Sequence, residues 1–282
     1  MNAGTVVVTG AATGIGRRAA VQLAGAGRHV IVMARSDERA AGVVAEATAA
    51  ARAGGRVESI PADLADLAQV RAAAERIAAV GPVQAVVNNA AILAVARRRP
   101  RITTDGIEEV FAVNHVAPFV LTTILWPHLV GDGRVVLAGS RGLTAMPWQR
   151  LDLDDLDSRR RWSPVRAYYR SKLAQLAFAA ELRRRGVVAA ALQIPSVRLD
   201  QERLAAYPPL LQLAYRPKMR FAADPAAVAA RYVELATGPI PPTGHVDARL
   251  RPVRWPDGTG DAALGAQVWS LTKELAGQRS DR

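Results

Sequence analysis

Short β-branched runs alternate with long Ala-rich segments through the first two thirds of the chain, and this alternation restricts the fold more than any other feature. Residues 5–9, 29–33, 56–61, 85–88, 134–138 and 187–194 have the length and composition of strands. Residues 17–26, 37–53, 67–80, 104–129 and 167–185 read as helices, several with Asp, Ser or Thr near the start. Strand and helix in turn imply right-handed crossovers between parallel strands, which predicts an α/β fold with a doubly wound parallel sheet. In such sheets ligands lie beyond the carboxyl ends of the strands, so motifs there carry the functional weight. A helix from Asp224, a Pro- and Gly-rich "GPIPPTGHVD" leading to a last strand, and a helix near 261–275 complete the chain. No linker or repeat divides it, so residues 1–282 are expected to form a single domain.

Two stretches break the alternation. Residues 147–164, "PWQRLDLDDLDSRRRWSP", are a polar insertion between a strand and a helix. Residues 198–223 bring Leu204, Tyr207, Leu210, Leu211, Leu213 and Tyr215 into one long connection, which predicts a lid over a hydrophobic ligand.

Directly behind Val6, Val7 and Val8, and directly ahead of the first helix, stands "TGAATGIG", residues 9–16. Glycines there let the chain turn tightly and let a ligand approach the backbone. The turn also presents the N–H groups and positive dipole end of a helix, a ready site for a phosphate.

Half of the 282 residues are apolar, enough for a large core. With no cysteine there is no disulfide framework, thiolate zinc site or catalytic thiol, and the four scattered histidines suggest no metal site; a cytoplasmic protein is expected. No basic and apolar leader is seen at the N-terminus, and no apolar run of membrane-spanning length, so no membrane partner is expected. The net charge of +12 comes from short arginine clusters at 97–101, 159–161 and 183–185, without a basic tail or interleaved aromatics. That pattern reads as solvated faces rather than a nucleic-acid surface, and its field would favour a polyanionic cofactor or an acidic substrate.

Four ordered motifs, "TGAATGIG", "NNAA", "VNHVAPF" and "YYRSK", resemble the short-chain dehydrogenase/reductase family, whose fold is a Rossmann-type sheet. Tyr168 and Lys172 are four apart and share one helix face. A phenol, with a reference pKa of about 10, needs a nearby positive charge to exchange protons at neutral pH, and Lys172 can supply it. Tyr169, three residues from Lys172, is facially compatible too; the family spacing selects Tyr168. The resemblance further implies that Ser140 binds the substrate carbonyl and that the Asn114 backbone carbonyl holds a water joining the lysine to solvent; Pro118 makes a helix kink there expected. The implied chemistry is hydride transfer between a nicotinamide and a carbonyl or alcohol carbon of a small molecule, with Tyr168 as proton donor in reduction.

By the same resemblance, Gly10, Thr13, Gly14, Ile15 and Gly16 cradle the cofactor pyrophosphate, Asp63 and Leu64 meet its adenine, and Asn89 and Pro195 flank it with Tyr168 and Lys172. At the end of the second strand an acid would select NAD, whereas a base pairs with the extra phosphate of NADP. Arg35 stands there, which predicts NADP(H), with Arg17 as a helper and Asp37 as the competing acid. Asp63 also has the position to cap the following helix.

The chain departs from the family at Ala91, at Ala117 and Pro118, and at Ser196, all near the expected nicotinamide. These changes keep open a cofactor-binding regulatory or scaffold protein without turnover. Tyr168 follows Ser140 by 28 residues, a long spacing that resembles the branch of retinol dehydrogenases and protochlorophyllide reductase. The resemblance also implies association between copies through the tyrosine-bearing helix.

Overall fold

The computed structural model describes residues 4–52, 54–198, 212, 219–220, 222–239 and 244–277. Strands β1 (Thr5–Thr9), β2 (His29–Met33), β3 (Arg56–Ser59), β4 (Val83–Asn88), β5 (Leu129–Ser140), β6 (Val188–Ile194) and β7 (His245–Val246) form one sheet in the order β3-β2-β1-β4-β5-β6-β7. Every pairing is parallel. The order reverses between β1 and β4, and a doubly wound sheet opens its ligand crevice at that reversal.

Apolar runs in these strands follow from burial on both faces. Val7 and Ile31 enter one core, while Val6, Val8, Val30 and Val32 enter the other. Helices α1 (Gly14–Gly25) and α2 (Asp37–Ala50) cover the second face, and α3 (Leu67–Val80) lies on the first. Most starts are capped as the sequence suggests: Ser36 accepts from Arg39 N, and Asp66 rather than Asp63 caps α3.

The segment expected as a helix over 104–129 begins later, as α4 (Glu109–His128). By length and composition alone α4 could cross a membrane, with a mean hydropathy of 1.4, but 78% of that window is buried inside the fold, as in a core helix. A π turn spans Ala112–Val116, just ahead of Pro118, where a kink was expected.

A short α5 (Gly142–Ala145) follows β5, and α6 (Pro164–Arg184) carries the "YYRSK" motif. The polar insertion between them is packed rather than loose. Asp155, Leu156, Asp157 and Ser158 are buried. Arg170 of α6 donates to the Asp155 carbonyl at 3.1 Å, to Asp155 Oδ2 and Ser158 Oγ at 3.4 Å each, and to Asp152 Oδ2 at 3.3 Å. The Trp162 indole donates to Glu108 at 3.0 Å, and burial pushes the Glu108 carboxyl up.

Helix α7 (Pro225–Thr237) joins α1 on its face of the sheet, and α8 (Ala262–Gly277) packs along α6 and α4. Trp269 of α8 meets Phe119 at 4.9 Å and Phe178 at 5.7 Å between centroids, with the Arg185 guanidinium 4.1 Å from its ring centre. The chain itself thus covers part of the tyrosine-bearing helix α6.

Candidate active site

Where β1 ends, Gly10 turns the chain with a φ of 62°, and a Cβ on it would stand 2.8 Å from Ala90 Cα. A Cβ on Gly16 would stand 2.4 Å from Asn89 Nδ2. These glycines are therefore required by close approach as well as by the turn. Asn89 Nδ2 donates to the Thr9 and Gly10 carbonyls at 2.9 and 3.2 Å, and Ala90 N donates to Thr9 Oγ1 at 3.0 Å. The ends of β1 and β4 are laced together in this way, and α1 opens beside them with no side-chain cap from Thr13.

A cleft of about 1360 Å³ runs along the carboxyl ends of the strands. Gly10, Thr13 and Ile15 line it at the glycine loop; Arg35, Asp63, Leu64 and Asn89 line its sides; Ser140, Tyr168, Lys172 and Pro195 line it beyond β5 and β6. Gly14, Gly16 and Asn114 are absent from the lining: the two glycines shape the loop behind it, and Asn114 is fully buried.

Asn114 acts as a clamp. Its side chain accepts from Ile92 N at 2.8 Å, and its Nδ2 donates to the Ile92 carbonyl and to Ser171 Oγ at 3.0 Å each. Ser171 in turn donates to the Tyr168 carbonyl at 2.7 Å, so one buried asparagine ties the loop after β4 to the tyrosine helix. The helical ring on the Asn114 carbonyl would need the amide of Pro118, which has none, so that oxygen loses its usual helical donor.

Lys172 is 1% exposed, and its Nζ lies 5.7 Å from the Tyr168 ring centre. Burial lowers its pKa from the usual 10.5 to about 7. Ser140 Oγ accepts from Gly142 N at 3.2 Å, which turns the hydroxyl toward the mouth of α5. Tyr169 also reaches the cleft, packed edge-on to Tyr168 at 5.2 Å and against Gly142, and burial raises its pKa. The competing tyrosine is thus a wall of the cleft, and Tyr168 is the one beside the lysine.

At the far end, Arg35 is exposed and lines the cleft, as does Arg39 one turn on, which the sequence reading missed. Arg39 lies in the first turn of α2 and Arg35 just ahead of its Ser36 cap, so helix spacing alone does not join them, and the turn into α2 brings both to the cleft. Neither has an ion-pair partner among the described residues. The other two candidates are engaged elsewhere, since Arg17 pairs with Glu46 at 2.6 Å and Asp37 accepts from Ser59 Oγ at 2.5 Å. Asp63 accepts from Ala65 N at 3.0 Å while facing the cleft. Of the expected lid, only Arg198, Gln212, Met219, Arg220, Ala222 and Ala223 are described; the rest lies outside the described residues. Met219, Ala222 and Ala223 line the cleft.

Residues 4–150 match the family model described as short chain dehydrogenase. The chain belongs to the short-chain dehydrogenase/reductase family. It is 35% identical over 97% of its length, and over 92% of the relative, to a protein of Streptomyces sp. (strain C5) named "Putative daunorubicin C-13 ketoreductase DnrU". It is 36% identical to retinol dehydrogenase 13 of Homo sapiens over 64% of this chain and 54% of that one, so that match spans about half of the relative. Among solved structures, the angucycline C-6 ketoreductase LanV with bound NADP superposes with a TM-score of 0.65, at 26% identity over 87% of this chain and 93% of that one. The protein is accordingly a short-chain dehydrogenase/reductase enzyme of the retinol dehydrogenase-like branch. The departures from the family pattern at Ala91 and Ser196 both line the cleft.

Proposed function

We propose that this short-chain dehydrogenase/reductase is an NADP(H)-dependent ketoreductase for a hydrophobic or polycyclic small-molecule carbonyl, with a cytoplasmic location as part of the same reading. The carrying observation is that Ser140, Tyr168 and Lys172 meet in one cleft whose opposite end presents Arg35 and Arg39. The glycine cradle at Gly10 and Gly16, which a Cβ would fill, suits a pyrophosphate, and two guanidinium groups without an ion pair among the described residues suit the further phosphate of NADP. Two relatives with ketoreductase names, one of them solved with NADP, support the reading. Leu93, Val113, Tyr169, Val197 and Met219 give the cleft apolar walls for a hydrophobic substrate.

A nicotinamide bound in this cleft would supply the hydride. Ser140 Oγ donates to the carbonyl oxygen and polarises it, and the Tyr168 hydroxyl delivers the proton to that oxygen. Lys172 keeps a positive charge near Tyr168, which favours release of that proton. Asn114 and Ser171 hold the tyrosine helix against the loop after β4.

NADPH consumption against a panel of aliphatic, aromatic and polycyclic carbonyls tests the proposal, with Tyr168→Phe alongside. Turnover is expected with a polycyclic or other hydrophobic ketone and to fall by a factor of about 100 or more in the variant. Retained turnover in Tyr168→Phe would move the proton source elsewhere. NADPH binding without turnover on any carbonyl of the panel would leave a substrate outside the classes sampled or the scaffold reading.

A further inference from the structure

Lys172 ends in a group with three N–H donors, and the fold spends two of them in a defined way. Nζ donates to the Ala138 carbonyl on β5 at 2.7 Å and to Gln175 Oε1 at 2.8 Å. Gln175 stands one turn along α6 and is fully buried, and its amide nitrogen has no partner among the described residues. A buried amide with one end unsatisfied costs stability, so packing alone does not account for glutamine where methionine or leucine would fill the space.

We propose that Gln175 is a positioning residue for Lys172: its Oε1 fixes one N–H, Ala138 fixes a second, and the third is left for the Tyr168 side of the cleft. The inference rests on the reading above, in which Lys172 serves Tyr168 and the cofactor. An acceptor 2.8 Å from the amine also favours its charged form, against the burial that pulls the proton off.

The surroundings leave that task to neutral acceptors. Among the described residues no ion pair includes Lys172. From its own helix, Tyr168 is the titratable side chain facing it. From β5 come the Ala138 carbonyl and the Ser140 hydroxyl, both uncharged. From α4, Asn114 is turned to Ile92 and Ser171, and His115 to Phe111, Phe178 and Thr272. With no carboxylate among the described residues to hold the charge, the amide oxygen of Gln175 and the Ala138 carbonyl favour the protonated form of the buried lysine.

Urea unfolding of the cofactor-free protein across about pH 5 to 10 reads this directly. The folded lysine titrates near 7 and the unfolded one near 10.5, so above pH 7 the unfolded state holds the extra proton. Stability therefore rises with pH over that window and is lost again as pH falls toward 7. Gln175→Met, close in volume but without the acceptor, is expected to move the foot of the rise down by about one pH unit. Lys172→Met abolishes the rise, and in that background Gln175→Met has no effect on the pH dependence. Gln175→Glu, the second variant should the first not fold, moves the foot up. An unmoved foot in the variant that folds, or an equal shift without Lys172, overturns the proposal. NADPH titration of the wild type separates the two readings: failure to bind overturns the cofactor assignment, while the foot still decides on Gln175.

Discussion

The two ends of the cleft are made of different material. At the glycine-loop end the shape comes from backbone: Gly10 and Gly16 give way to Ala90 and Asn89, and Asn89 is tied to main-chain carbonyls. At the tyrosine end the shape comes from side chains that meet across long stretches of sequence, Arg170 with residues 152–158, Glu108 with Trp162, Asn114 with Ser171, and Lys172 with the β5 carbonyl. A backbone cradle needs particular small residues at fixed spacing and so leaves a mark in the sequence. A side-chain network needs only that partners arrive together, and many residue types satisfy that.

The largest effect expected from breaking this contrast is at Arg170. Its guanidinium is nearly buried and is met by Asp155, Ser158 and Asp152, so Arg170→Met leaves the buried Asp155 carboxylate without its cation. Breaking a buried pair from one side costs about 3–5 kcal/mol, and urea unfolding should show a loss in that range. A loss below about 1 kcal/mol, the size of an exposed pair, would mean that the insertion does not hold α6. At the backbone end the counterpart is Gly16→Ala. The new methyl must displace Asn89, and the expected cost is about 1–3 kcal/mol, with weakened NADPH binding measured by fluorescence. Unchanged binding would show that the loop gives way without consequence.

A sharper comparison lies within the cofactor end. Arg35→Ala and Arg39→Ala should each weaken NADPH by about tenfold and leave NADH nearly unchanged, because only the former carries the phosphate that charge-assisted hydrogen bonds would hold. Equal loss for both cofactors in either variant would remove that arginine from the phosphate site. The effect should shrink as salt rises, since both side chains are exposed.

The same division explains what could be read before the structure. Strands 5–9 and 29–33 and the helix over 67–80 were legible to the residue, because burial on both sheet faces and an Asp cap leave local patterns. Tyr168, Lys172, Ser140 and Arg35 all line the cleft. Gln175, three residues after Lys172, shares its helix face, but nothing in the sequence tells that both are buried; Arg39 joins Arg35 at the cleft only through the turn into α2. The insertion at 147–164 read only as a polar break in the alternation, because the partners that pack it, Arg170 and the Glu108 amide, stand outside it in sequence. Arg17 and Asp37 were placed at the cofactor by proximity in sequence, and Glu46 and Ser59, which hold them away, lie too far along the chain to be seen from the motif.

The smallest effect tests whether α8 belongs to the side-chain-built half. Thr272 Oγ1 donates its one hydrogen to the Val268 carbonyl at 2.6 Å, so toward His115 Nε2, at 2.8 Å, it can only accept. Nε2 then carries the proton of the neutral ring, and Nδ1, without a partner among the described residues, would become a stranded donor if His115 were charged. Burial accordingly lowers the His115 pKa from 6.5 to about 3. Between those values the unfolded chain binds a proton that the folded one refuses, so stability from this group is present above about 6.5 and is lost as pH falls toward 3. Thr272→Val should cost about 1 kcal/mol at neutral pH by removing the acceptor. His115→Phe should flatten the acid side of the stability curve between pH 6.5 and 3, and an unchanged acid limb would place the acid sensitivity outside the contact that joins α8 to the tyrosine-bearing half.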